Sequence, residues 1–177
     1  MKQGIQVRRA TAGDAPGIVD LSSRVQKKLT ESGSLQIIGP VSQSKVEISV
    51  NGGFTYILEK SGARIGSVFV EPLDGVYPNT QIIQYANWEV GGLPRPLWYL
   101  QSLMLEPMEQ GKGLGLRFLD GIKNLMREQG GTIVLDCWAG NSKLRVFYEN
   151  ADFIHHGNFP EDDYEISVYF RILTRSS

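Results

Sequence analysis

The chain has 177 residues, 41% of them hydrophobic and 10% aromatic, which supports a folded core and excludes a disordered chain. Its formal net charge of −1 gives no electrostatic reason to expect nucleic acid or an anionic membrane as partner. The single cysteine, Cys137, excludes an internal disulfide and suits a reducing cytoplasm. No apolar run approaches the ~18–20 residues that cross a bilayer. Lys2, Arg8 and Arg9 have no apolar stretch behind them that would make a signal peptide. One domain over residues 1–177 is expected.

Residues 5–10 read as a first strand. Thr11-x-x-Asp14 resembles a capping box with Asp in place of Glu. Ile18, Leu21, Val25 and Leu29 then recur at three- and four-residue spacing, which predicts a helix with one buried face. Lys27, Lys28 and Glu31 fall at its solvated end. A loop follows over 32–40, and 41–50 is ambiguous, because Val46, Ile48 and Val50 alternate as in a strand. Residues 54–59 and 64–71 are predicted as a hairpin through Ser61-Gly62. From 72 to 96 Gly75, Pro78, Gly91, Gly92, Pro94 and Pro96 break regular structure, with 81–87 a candidate added strand.

Residues 97–105 are almost continuously apolar, as expected for a strand covered on both faces, and Pro107 ends it. A helix is predicted after the polar elbow, with Phe118, Leu119, Ile122, Leu125 and Met126 as its apolar stripe. Gly130 and Gly131 stop it. Residues 132–138 form a second apolar strand. Asn141 is a candidate N-cap for a short helix presenting Leu144, Phe147 and Tyr148 on one face. Residues 153–158 and 166–173 are predicted as closing strands. The helix between 105 and 132 reads as a crossover, so the strands it joins are expected to be parallel.

The elbow itself is Gln110-Gly111-Lys112-Gly113-Leu114-Gly115. Glycines there let the backbone approach a ligand and turn its N–H groups outward. The helix behind them starts with unsatisfied N–H groups and the positive end of its dipole. Lys112 adds a charge, making a candidate pyrophosphate site; the alternative is a loop whose glycines only cap the helix. It is not a Walker A loop, and Leu116 stands where a dinucleotide fingerprint needs its third glycine. His155 and His156 are adjacent, so in a strand they face opposite sides and make no metal pair. No Cys/His cluster suggests zinc.

Gln110 to Gly115 fits Gln/Arg-x-x-Gly-x-Gly/Ala after a strand ending in an x-Pro elbow. In this the chain resembles the GNAT superfamily of N-acetyltransferases. The motifs lie between 97 and 153, while the order of elements agrees over nearly the whole chain. The resemblance implies an α/β (α+β mixed-sheet) fold of about seven strands, splayed between strands 4 and 5 and flanked by about four helices. It favours a helix at 41–50. It also implies acetyl-CoA as cofactor with no metal, and direct attack by a primary amine of a small molecule or peptide in a ternary complex. By the same resemblance the main chain of Leu103, Met104 and Leu105 holds the pantetheine arm like an added strand. Gln110, Gly111, Lys112, Gly113, Leu114 and Gly115 hold the pyrophosphate.

Asp136, Asn141 and Tyr148 keep the spacing of an acidic residue, an Asn and a Tyr found in many family members. An attacking amine must lose a proton, and a departing thiolate is helped by a proton donor. The resemblance makes Tyr148 the acid, Asp136 the candidate base, directly or through water, and Asn141 both cap and cofactor ligand. Without the family, Tyr148 reads as a core aromatic and Asp136 as a paired strand residue. Tyr85, Trp88 and Glu89 are candidates for a wall of the acceptor pocket, or belong to an ordinary connection. Glu161, Asp162 and Asp163 form a short acidic turn that is either simply solvated or, by the resemblance, borders the acceptor site and would attract a cationic amine. Two departures are visible: Ala151-Asp152-Phe153 replaces the usual Leu-Gly-Phe, and Gln110 replaces the commoner Arg. The rivals are a non-catalytic acyl-CoA sensor and a dinucleotide-binding protein with Asp136 on a ribose. Homodimers are common in the family, and no residue here marks an interface.

Overall fold

The computed structural model describes residues 4–34, 36–73 and 88–174. In chain order the elements are β1 (Ile5–Arg9), α1 (Ala15–Glu31), α2 (Gln43–Asn51), β2 (Thr55–Lys60), β3 (Ala63–Pro72), β4 (Leu97–Leu105), α3 (Leu114–Met126), β5 (Gly131–Trp138), α4 (Ser142–Asn150), β6 (Ile154–Glu161) and β7 (Tyr164–Leu173). The strands form one seven-stranded sheet in the order β1-β2-β3-β4-β5-β7-β6. It is mixed, since β4 and β5 run parallel while β1–β2, β2–β3, β5–β7 and β6–β7 are antiparallel. The expected α/β architecture, with its parallel crossover pair, is therefore present. The chain divides into two compact units, Met1–Phe69 with Ser102–Ile122, and Val70–Gln101 with Lys123–Ser177.

In the first unit, Ser61 and Gly62 both take positive φ, 52° and 82°, the turn that matches the twist of a two-residue hairpin. The stretch 41–50 is helical. The Ser42 hydroxyl accepts from the Lys45 N–H at 3.2 Å, and Val46, Ser49 and Val50 are buried at helical spacing. A strand would have put Ile48 on the face of Val46 and Val50, yet it is 44% exposed. The core joins Ile18, Leu21 and Val25 of α1 to Val46 and Val50 of α2, and to Ile57, Phe69 and Met104. Burying each large aliphatic chain contributes roughly 1.5–3 kcal/mol. Gly121 of α3 lies so close to β1 that a Cβ would stand 2.3 Å from Val7 Cγ2. The elbow after β4 is tied to α1 by the Arg24–Glu106 pair and by Lys28 donating to the Pro107 carbonyl at 3.3 Å.

In the second unit, β4 and β5 pair over Leu97–Tyr99 and Thr132–Val134. Gly131 opens β5 at φ 85°, against the Pro96 carbonyl, where a Cβ would lie 2.0 Å from the oxygen. The Thr132 N–H donates to that same carbonyl at 2.9 Å, and the Trp98 indole donates to the Gly130 carbonyl at 3.1 Å. Leu73, Trp88, Val90, Leu97, Val134, Ile166 and Val168 make the core. β6 runs to Glu161, past the predicted end at 158, and lies at the sheet edge, where a proline such as Pro160 is tolerated.

Two expectations are corrected. Only Leu97, Leu100 and Met104 of β4 are buried, the rest being half-buried; Ser102 takes a left-handed φ of 55° and interrupts the pleat as a bulge does. Leu125 is 45% exposed and lies off the α3 stripe, where Leu114 is buried instead. The candidate strand 81–87 and Tyr85 lie outside the described residues. Among the described residues no helix is long and apolar enough to cross a membrane.

Asp14 sits at the start of α1, accepting from Arg8 Nη1 and Nη2 at 2.7 and 2.9 Å and from the Thr11 N–H at 2.8 Å. The Arg8 bonds lead in holding its carboxyl at about 2, below the ordinary 3.8. A depressed carboxyl stabilises the fold above its unfolded pKa, so roughly 2 kcal/mol should be present above about pH 4 and lost as pH falls through 2. Urea unfolding of the Asp14→Asn variant should show lower stability at pH 6 and a correspondingly smaller loss between pH 4 and 2. An unchanged acid slope would contradict this account.

Candidate active site

The 110–115 loop leaves β4 through a 3-10 turn at Pro107–Glu109. Gly111 and Gly113 have φ of 80° and 76°, with nothing within 4 Å of the position a Cβ would take. Conformation rather than space therefore requires glycine at both. Among the described residues, the N–H groups of Gly111, Lys112 and Gly113 enter no backbone hydrogen bond of the turns and caps. These three residues are exposed, and the buried Leu114 and Gly115 start α3 behind them. The result is an open set of N–H donors at the positive end of a helix, a site suited to an anion.

The charges around this loop are partly engaged. Gln110 Nε2 donates back to the Leu105 carbonyl at 3.2 Å. Glu109 accepts from Lys60 at 3.1 Å and stands 3.4 Å from Lys112. The Lys60 bond, ahead of Lys112, lowers the Glu109 carboxyl. Sequence reasoning missed Lys60, whose partner is 49 residues away. Leu103 and Leu105 are half-buried, and Met104 is buried in the core.

The second group of predicted residues lies on β5 and α4. The Tyr99 hydroxyl donates to Asp136 Oδ1 at 2.5 Å. Burial, above all, raises the Asp136 carboxyl, while the Tyr99 bond lowers it. Asn141 caps α4 as expected, its Oδ1 accepting from the Leu144 N–H at 3.1 Å. Tyr148 is buried, with ring contacts to Phe147, Phe153 and Tyr169 at 5.2, 6.1 and 6.3 Å. Its hydroxyl makes no hydrogen bond among the described residues, and burial raises its pKa further above 10. Cys137, next to Asp136, is a buried free thiol pushed up to about 11 by desolvation.

Trp88 is 4% exposed and meets Tyr99 edge-to-face at 5.7 Å, so it packs in the core of its unit. Glu89 caps a 3-10 turn with φ 57°. His155 faces Asn158 and His156 faces the Glu89 carbonyl, at 3.0 and 3.2 Å. Among the described residues no group of three or more His, Cys, Asp and Glu could hold a metal ion. A carboxylate that sequence reasoning missed is Glu71, 3% exposed at the end of β3 and accepting from Gln101 Nε2 at 3.1 Å. Its only sequence signal was a charged residue closing an apolar strand.

Residues 33–153 match the model of the Acetyltransferase (GNAT) family, and the chain belongs to that family. Acetyl-CoA-dependent N-acetylation is the family's general activity. Among solved structures, the chain is similar to a GNAT-family acetyltransferase from Listeria monocytogenes, with 22% identity over 98% of this chain and 99% of that one, and a TM-score of 0.77. It is similar to the ribosomal-protein-S18-alanine N-acetyltransferase from Escherichia coli, with 14% identity, 98% and 96% coverage and a TM-score of 0.63. A ribosomal L7/L12 α-N-protein acetyltransferase, RimL, in complex with coenzyme A shares 16% identity over 99% of this chain and 97% of that one, with a TM-score of 0.66. At these identities the likeness carries the fold. No curated protein matches the chain.

The departure at Ala151-Asp152-Phe153 has a structural reading. Asp152 takes φ 68° at the end of α4, the left-handed position where the family pattern has glycine. Asp tolerates this region better than most residues but still pays for its Cβ. Asp152→Gly should raise unfolding stability by about 1 kcal/mol, read by denaturant titration; a loss of stability would contradict the assignment.

Proposed function

We propose that this protein transfers the acetyl group of acetyl-CoA to a primary amine of a small molecule or peptide by direct attack in a ternary complex. The observation that carries the reading is the 110–115 loop, with glycines at positive φ, N–H groups of Gly111, Lys112 and Gly113 that enter no backbone turn or cap bond among the described residues, and the start of α3 behind them. That donor set fits a pyrophosphate, and each charge-assisted bond contributes roughly 1.5–3 kcal/mol. Gln110, Gly111, Lys112, Gly113, Leu114 and Gly115 would hold the pyrophosphate, with Lys112 exchanging Glu109 for a phosphate oxygen. Main-chain groups of Leu103, Met104 and Leu105 would hold the pantetheine arm. Asn141 would contribute its amide nitrogen, since its oxygen is engaged in capping α4.

In the transfer, Asp136 takes a proton from the acceptor amine, directly or through water. The nitrogen forms its bond to the thioester carbonyl carbon, the carbon–sulfur bond breaks, and the sulfur leaves with the electron pair. It takes the proton of the Tyr148 hydroxyl, and exchange with water restores both side chains. Tyr148 carries its proton at neutral pH, as any tyrosine does, and burial raises its hydroxyl further, so donation to the sulfur would be concerted with carbon–sulfur cleavage. Burial raises the Asp136 carboxyl towards the working pH, which improves a carboxylate as a base. Glu161 adds negative charge near Asp136 and, with Asp162 and Asp163, would favour an acceptor that arrives as an ammonium ion and gives its first proton to water before attack.

On this reading residues 1–177 act as one catalytic domain in the cytoplasm, where Cys137 stays reduced. A peptide with an N-terminal alanine is the first acceptor to try, given what the Escherichia coli relative is named for. Tyr148→Phe should lower turnover about a hundredfold and leave the calorimetric Kd of acetyl-CoA within about twofold of the wild-type value. Wild-type turnover in that variant across pH 6–9 would remove Tyr148 from the mechanism. Tight acetyl-CoA binding with no turnover of any amine would point to a non-catalytic sensor.

A further inference from the structure

The parallel ladder of β4 with β5 ends at Tyr99 and Val134, while β5 continues to Trp138 against β7. Asp136 follows two residues after Val134, on the same face of β5. Past the last ladder pair, the Tyr99 side chain reaches forward and its hydroxyl meets Asp136 Oδ1 at 2.5 Å. Trp88 packs edge-on against the Tyr99 ring at 5.7 Å and limits its rotation. A hydroxyl held by a packed ring, aimed at one oxygen of a half-buried carboxylate, is a fixed donor.

We propose that Tyr99 is the positioning residue of the Asp136 base, holding one carboxylate oxygen so that the other stays available to take the acceptor's proton. This deepens the reading above and rests on its assignment of Asp136 as base. A charge-assisted bond of this length favours the ionised carboxylate over the protonated acid. The bond works against the other groups around Asp136. Burial is the largest of these influences, and Glu161 of β6 adds a like charge. Tyr148 of α4, Tyr164 of β7 and the neighbouring Cys137 also face the Asp136 charge. Tyr99 itself remains protonated, because burial and the nearby Asp136 charge both raise its hydroxyl well above 10. It donates to the base and never competes with it.

The sign follows directly. A base works when deprotonated, so activity rises with pH through its pKa, and removing a donor that stabilises the carboxylate moves that rise upward. Tyr99→Phe keeps the ring and its contact with Trp88 and deletes only the hydroxyl. The decisive experiment is a carboxyl carbon-13 NMR titration of wild type and Tyr99→Phe, with Asp136→Asn identifying the resonance. Its midpoint in Tyr99→Phe should lie about one pH unit higher, with acetyl-CoA affinity unchanged. A midpoint within experimental error of wild type, or a lower one, overturns the proposal whatever the enzyme's activity. The base reading is separated by turnover of an alanine-terminated peptide. If Asp136→Asn retains the wild-type acid limb, Asp136 is not the base and the positioning role falls with it. If that limb disappears in Asp136→Asn and moves upward in Tyr99→Phe, both stand.

Discussion

Three residues of parallel ladder, Leu97–Tyr99 against Thr132–Val134, are the constraint on which the arrangement of the second unit depends. They begin where Gly131 packs against the Pro96 carbonyl, an approach that no side chain permits. The Thr132 N–H and hydroxyl fix the same corner by donating to the carbonyls of Pro96 and Pro94 at 2.9 and 2.7 Å. The two strands thus start in register and end their pairing after one turn of the pleat. Where backbone bonding stops, side chains take over, and the first of them is the Tyr99–Asp136 bond.

The same unit collects groups whose ionisation is governed by burial. Tyr148 has lost water and found no hydrogen-bond partner among the described residues, so its proton is held tightly until something accepts it. Asp136 has lost water but accepts from the Tyr99 hydroxyl, so burial and hydrogen bonding oppose each other there. Burial therefore raises both groups, and only at Asp136 does a hydrogen bond oppose it. Cys137, beside them, is pushed up to about 11 and is a poor thiolate at neutral pH.

Local features were legible in the sequence because they depend on neighbours along the chain. The Ser61-Gly62 hairpin, the Asn141 cap and the helix behind Gly113 all follow from turn chemistry and spacing. Residues 41–50 were ambiguous because Val46, Ile48 and Val50 satisfy both periods in part; the Ser42 cap and the exposure of Ile48 decided for helix. Contacts across the fold carried no such signal. Tyr99 and Asp136 are 37 residues apart, Gln101 and Glu71 are 30 apart, and Lys60 and Glu109 are 49 apart. The left-handed Ser102 was equally hidden, since serine has no preference that marks a bulge inside an apolar strand.

The central claim, that the glycine loop is built for the pyrophosphate of an acyl-CoA, is tested most directly by thermal unfolding with acetyl-CoA, coenzyme A, NAD and ATP in parallel. A ligand at a hundred times its Kd stabilises a fold by about 2.7 kcal/mol, which for this size of chain is a shift on the order of 5–10 °C. The account predicts such a shift with acetyl-CoA and coenzyme A and none with NAD or ATP. A shift with NAD alone, or with no ligand at all, would contradict it.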